Sequence, residues 1–184
     1  LVLEGNFIGT DITGKLDRGN GHGGILIPDT RGNRVGGPNP WQRNLISGNN
    51  QSGVNLHDAG TSGNVLQGNL IGTAADGSTA LGNSGPGINI DNGGATNTTI
   101  GGTTAGKGNT IAFNTGEGIF VGASTGVSIL GNSIHSNDLE GIELAADGVT
   151  PNDLGDADTG PNDLQNYPEL ATALTNASNQ LILT

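Results

Sequence analysis

The chain has 184 residues, 35 of them glycine, with 3% aromatic residues, 12% charged residues and a formal net charge of -11. Six basic residues against 17 acidic ones argue against a nucleic-acid partner, whose phosphates need clustered Lys and Arg, and equally against an anionic membrane surface. No apolar run reaches the roughly 20 residues that cross a bilayer, so membrane insertion is not expected, and the absence of cysteine removes any disulfide framework.

Apolar residues occur as short clusters of Ile, Val and Leu between Gly/Asn/Thr-rich stretches, and the clusters repeat. The chain opens with LEGNFIGT (residues 3–10), which predicts two short strands centred on Leu3 and Ile8. After the excursion TDITGKLDRGNGHG (residues 10–23) comes GILI (24–27), a third strand centred on Ile25. A second set centres on Val35, Ile46 and Val54, with GGPNPWQRN (36–44) between its first two strands and GVNL (53–56) as its third. The opening phrase then returns as LQGNLIGT (66–73), giving strands at Leu66 and Ile71, another excursion TAADGSTALGNSGP (73–86), and GINI (87–90) around Ile88. A fourth set has Ile100, GGTTAGKGN (101–109), Ile111 and GIFV (118–121) around Ile119. The fifth is compact: ILGNSIHS (129–136) supplies Ile129 and Ile134, and GIEL (141–144) supplies Ile142.

One such coil cannot bury its apolar side alone. Stacking like on like at about 4.8 Å makes a continuous interior and pairs the backbone groups between coils. The predicted fold is therefore all-β: a right-handed parallel β-helix, a solenoid of about five three-strand coils over residues 1–146, closed by a C-terminal capping segment. Alternation within Gly-Ile-x-Ile points its β-branched residues inward and leaves Asn55, Asn89, Phe120 and Glu143 facing outward. Asn6, Asn69 and Asn132 recur at one corner, either as a ladder of bonded side chains or because Asn tolerates the left-handed turn there.

Residues 147–184 form a different unit, an acidic Pro/Gly-rich capping tail. A solenoid end exposes unpaired strand edges, so the tail is expected to fold over the last coil through Leu154, Leu164, Tyr167 and Leu170. NQLILT (179–184) reads as a strand that starts something new, and adjoining domains of a larger parent chain are expected.

The phrases LEGNFIGT and LQGNLIGT, the Gly-Ile-x-Ile strands and the segment at 147–170 resemble the right-handed parallel β-helix repeat proteins of bacterial surfaces, of pectate-lyase-like architecture. The resemblance covers roughly residues 1–147 and the closing segment. It implies a polysaccharide or cell-surface context, and no single reaction, because this fold hosts lyases, hydrolases, epimerases, adhesins and inert stalks.

The strongest metal candidate is in the tail: Asp153, Asp156, Asp158, Asn162 and Asp163, separated by Gly and Pro. Calcium takes six to eight oxygens from a flexible loop. The Glu that closes an EF-hand is missing, so a calcium loop and a metal-free Asp/Asn-rich cap both remain open. Gly21-His22-Gly23 resembles a polygalacturonase motif, but the partner carboxylates and basic motif of that family are not recognisable here. Outward or loop carboxylates are Asp58, Asp91, Glu117, Glu140 and Glu143; Asp58 and Asp91 follow the third strand in successive coils and are expected side by side. Trp41, the single tryptophan, either stacks on a sugar ring or packs its own loop. Trp41, Asp58 and Asp91 are the candidate ligand-binding residues.

These features define the expectation of a non-catalytic module of a secreted or cell-surface bacterial protein that binds a polysaccharide or cell-surface glycan or serves as an adhesive stalk. The alternative is a polysaccharide-active lyase or glycoside hydrolase acting on a uronic-acid-containing or other polymer. No complete catalytic constellation is visible in support of it.

Overall fold

The structure, a computed structural model, describes residues 1–91, 95–145, 148–169, 172–175 and 181–183. Five coils follow one another, each with three short strands. They are β1 (Val2–Leu3), β2 (Phe7–Ile8) and β3 (Ile25–Pro28); β4 (Arg34–Gly36), β5 (Leu45–Ile46) and β6 (Val54–His57); β7 (Val65–Gln67), β8 (Leu70–Ile71) and β9 (Ile88–Asp91). The last two coils hold β10 (Thr99–Gly101), β11 (Thr110–Ala112) and β12 (Ile119–Val121), then β13 (Ser128–Leu130), β14 (Ser133–His135) and β15 (Ile142–Leu144). Every third strand is a neighbour, so the strands assemble into three parallel five-stranded sheets, β1-β4-β7-β10-β13, β2-β5-β8-β11-β14 and β3-β6-β9-β12-β15. This is a parallel β-helix. A separate antiparallel pair, β16 (Ala173–Thr175) and β17 (Leu181–Leu183), lies in the tail. Among the described residues no helix is long and apolar enough to cross a membrane.

The register is that of the repeats. Leu3, Val35, Leu66, Ile100 and Ile129 stand in one file. Ile8, Ile46, Ile71, Ile111 and Ile134 form a second. Ile25, Val54, Ile88, Ile119 and Ile142 form the third. The three files meet in one core, fully buried in the middle coils and half-buried at Ile8, Ile25, Ile129 and Ile134 in the end coils. Each fully buried Ile or Leu stabilises the stack by about 1.5–3 kcal/mol relative to exposure.

Two asparagine ladders hold the corners. At the first, Nδ2 of Asn6, Asn44, Asn69 and Asn109 donates to Oδ1 of the next rung, ending on Asn132, at 2.8–3.0 Å. The backbone N–H of each donor rung bonds to the same oxygen, so every Oδ1 accepts two bonds from the coil before. The ladder expected from Asn6, Asn69 and Asn132 is therefore real, and it runs through every coil. A second ladder, Asn20-Asn49-Asn83-Asn114-Asn137, lines the corner before the third sheet at 2.8–2.9 Å. The middle rungs of both are buried. Fully satisfied amides in a dry corner contribute bonds that no water competes for.

The excursions of the first and third coils are small hairpins closed by the bridges Thr10–Asp17 and Thr73–Ala80. They touch each other across the second coil, where Ala75 N–H donates to Gly14 C=O at 2.9 Å. Leu45 and Leu70 are buried on the outer side of the second sheet, and Leu45 Cδ2 sits against Gly14 of the first hairpin.

Candidate functional site: the outward face of the third sheet and its lower end

The third sheet presents the chemistry. Its register sets Leu26, Asn55, Asn89, Phe120 and Glu143 in one outward file, with Pro28, His57 and Asp91 in a parallel one. Asn89 Nδ2 donates to Asn55 Oδ1 at 3.1 Å, so the two carboxamides are aligned along the stack. Phe120 follows as a half-buried ring. A Cβ on Gly122 would lie 2.7 Å from both Asp91 Oδ1 and Phe120 Cε1. The missing side chain thus leaves a notch in which a carboxylate and a ring edge close on the backbone.

The expected Asp58–Asp91 pair is corrected by one residue. Asp91 still belongs to its strand and registers with His57, whereas Asp58 lies just past the strand in a left-handed turn (φ 74°). The equivalent turn of the coil before holds Asp29, also left-handed (φ 46°). His57 Nδ1 and Asp58 Oδ2 are 2.9 Å apart. The structure thus gathers His57, Asp58 and Asp91 around adjacent positions of one sheet edge.

At the lower end of this face Glu117, Glu140 and Glu143 converge, with one carboxylate oxygen from each lying within 4.8 Å of the others. Glu117 and Glu140 stand at matching positions just before β12 and β15, and Glu143, the register partner of Phe120, lies three positions further along. Among the described residues this is the group of three acidic or histidine donors close enough to hold a metal ion. The donors are all hard oxygens, which suit Ca²⁺ or Mg²⁺ rather than a thiophilic metal. Glu143 stands outward as expected, yet it is only 8% exposed. The start of the tail covers it, and its Oε1 accepts the Gly148 N–H at 3.0 Å.

Between the last coil and the tail lies a half-open pocket of about 500 Å³ with Ile142, Leu144, Val149 and Tyr167 as apolar wall and Glu140 and Glu143 at its polar side. Ile142, which a sixth coil would bury, is consequently 45% exposed.

Of the tail residues expected to bind metal, Asp153 and Asp156 bond the tail's own backbone, and Asp153 Oδ1 is buried without a hydrogen-bond partner. Asp153 Oδ2 accepts Ala157 N–H at 3.0 Å, and Asp156 Oδ1 accepts Asn166 N–H at 2.8 Å. Asn166 Nδ2 returns to Asp153 C=O at 2.9 Å. Asp158 and Asp163 do not join them in a three-carboxylate group. Asn162 is turned to the solenoid: its Oδ1 accepts Val127 N–H at 2.8 Å and its own N–H donates to Ser124 C=O at 2.6 Å. The expected apolar contacts also change. Leu154 is 100% exposed, Leu164 packs within its own turn against Gly160, Tyr167 lines the pocket, and Leu170 lies outside the described residues. Trp41 sits in a short 3₁₀ turn (Pro40–Gln42) on the loop between β4 and β5, with its side chain 72% exposed rather than packed into that loop. It is remote in sequence and sheet from the third-sheet face. His22 is exposed in the first hairpin loop.

Fold and face together define a class, the parallel β-helix repeat solenoid. Comparison with models of known protein families, with curated proteins and with solved structures returns no match.

Proposed function

We propose that this chain is a non-catalytic β-helix module that binds carbohydrate through the outward face of its third sheet, in the setting of a secreted or cell-surface bacterial protein. The observation that carries the reading is the single outward file of Asn55, Asn89 and Phe120, flanked by His57 and Asp91. Planar amides bond paired sugar hydroxyls, and an aromatic face covers the apolar side of a pyranose ring. The repeat of the coils spaces these groups at about 4.8 Å along the stack, suited to an extended polymer rather than a compact ligand.

The Glu117–Glu140–Glu143 group supports a calcium ion at the end of that face. Three carboxylates leave room for water or sugar oxygens to complete six to eight ligands, and calcium tolerates the irregular geometry. The test is a glycan array and affinity electrophoresis with calcium and with chelator. Binding that Asn89→Ala and Phe120→Ala weaken at least tenfold supports the reading. Absence of binding to every polysaccharide leaves the adhesive or structural stalk role.

One observation favours a polysaccharide-active enzyme instead: the 2.9 Å pair of His57 and Asp58, with Asp91 in register beside the histidine. Release of reducing or unsaturated sugar ends, lost in His57→Ala, decides for it.

A further inference from the structure

We propose that Asn20 is a self-modifying residue, converting in the folded protein to aspartate or isoaspartate and removing the first rung of the second asparagine ladder. The reasoning is independent of the function proposed above. Asn20 is followed by Gly21, and of the ladder asparagines it alone precedes a glycine. The later rungs are followed by Asn50, Ser84, Thr115 and Asp138, whose side chains shield the backbone nitrogen.

The local geometry leaves the reaction open. Asn20 is exposed, and its ladder neighbours Asn49, Asn83 and Asn114 are buried. A Cβ built on Gly21 meets nothing within 4 Å, so there is space around the residue for a ring to close. Among the described residues no acceptor takes the Gly21 N–H, which leaves that nitrogen available as a nucleophile, and nothing donates to Asn20 Oδ1. The side chain is held by its Nδ2 bond to Asn49 Oδ1 at 2.8 Å, and the backbone of the residue by its N–H on the same oxygen at 3.3 Å and by the Asn50 N–H on its C=O at 3.0 Å.

The step balances without any group beyond water. The Gly21 nitrogen loses its proton and bonds to Asn20 Cγ. The Cγ–Nδ2 bond breaks, and nitrogen leaves as ammonia with the proton. The resulting five-membered imide takes up one water, opening either to aspartate or to isoaspartate.

Both products break the rung. Aspartate sets a carboxylate oxygen against Asn49 Oδ1, two acceptors with no proton between them. Isoaspartate lengthens the backbone by a methylene ahead of β3, whose register with β6 depends on that corner. Either way the first coil loosens while the buried rungs beneath keep theirs.

The experiment is peptide mapping by mass spectrometry of the whole chain after incubation at mildly alkaline pH, with Asn92–Gly93 read in a separate peptide. The expected result is amide-to-acid conversion at Asn20, none at Asn49, Asn83 or Asn114, and faster proteolysis within residues 10–23 in the converted fraction. Gly21→Val, placed in open space, is expected to keep the fold and suppress conversion. Retention of the amide at Asn20 while a synthetic peptide of the same sequence converts would overturn the proposal, as would equal conversion in Gly21→Val.

Discussion

Asn162 of the tail offers its carboxamide oxygen to the backbone N–H of Val127 at 2.8 Å, as Asn64 offers its own to the N–H of Asn33 at 2.9 Å three coils earlier at the same corner. Asn33, Asn64, Thr98 and Val127 occupy equivalent corner positions before the first sheet. The tail therefore docks by supplying the acceptor that a further coil would supply. Val127 is buried, and leaving its N–H unpaired costs about 1–3 kcal/mol. Asn162→Ala is expected to release the tail locally. Hydrogen exchange at the Val127 amide and proteolysis between residues 148 and 160 should both accelerate; unchanged protection at Val127 would mean the tail is held by other contacts.

The ladders predict position-dependent losses. Asn69 is buried, and its Oδ1 accepts both the backbone N–H and Nδ2 of Asn44. Asn69→Ala strands those two donors, while Asn109 Oδ1 keeps the backbone N–H of residue 69, a loss of about 2–6 kcal/mol at roughly 1–3 per unpaired buried group. Asn6→Ala removes only an end-rung donor, and the cost is about 0.5–1.5 kcal/mol. Denaturant midpoints of the two variants should differ accordingly, and equal midpoints would count against ladder cooperativity.

Two glycines separate backbone strain from collision. Gly72 has φ +86°, and a Cβ there would lie 2.0 Å from Ala112 C=O in the next coil. Gly63 has φ +62° with nothing within 4 Å of its Cβ. Gly63→Ala carries only the left-handed penalty of about 1–2 kcal/mol. Gly72→Ala must push two coils apart, and a loss above about 4 kcal/mol or failure to fold is expected. Thermal unfolding of both checks the contrast.

The hairpin of the first coil should respond to acid. Its Asp11 carboxylate accepts the Leu16 N–H, the Thr13 hydroxyl and the Lys15 N–H, which hold its pKa down to about 2 from an ordinary 3.8. In the third coil Asp76 is lowered by the Thr79 hydroxyl and N–H and then the Ser78 N–H. The folded pKa lies below the unfolded one, so this contribution is fully present above about pH 4 and is lost as pH falls towards 2. Amide exchange at Lys15 and Leu16 should rise over that window in the parent chain. Asp11→Asn should show the raised exchange at neutral pH and no such transition.

Metal binding gives the last test. Calorimetric titration with calcium should give a signal that Glu143→Gln weakens at least tenfold, whereas Asp158→Asn in the tail should leave it unchanged. The reverse pattern would return the ion to the tail loop.

The coil plan was readable because it is written in local spacing. Each Asn of the first ladder stands two residues before the middle-strand Ile, as in Asn44–Ile46 and Asn109–Ile111, and each Asn of the second stands four before the Gly of the third strand, as in Asn83–Gly87. The second ladder was open to the same reading and was missed because the excursions hide its period. Glu117 and Glu140 also carry a signal, the Glu-Gly-Ile phrase in successive coils, with Glu143 following the second. The Asp58–Asp91 register slipped because the strand extends to Asp91, and a one-residue offset exchanges neighbours.

Sequence alone determined the repeating coil: its strands, its inward files and the amides at its corners, because each depends on residues a few positions apart and on the identical need of every coil to bury one face. Tertiary structure alone decided what the last coil does with its open end. The cover over Glu143, the convergence of three glutamates and the turning of Asn162 to Val127 depend on how an aperiodic tail meets a finished surface, and no spacing within the tail encodes that meeting.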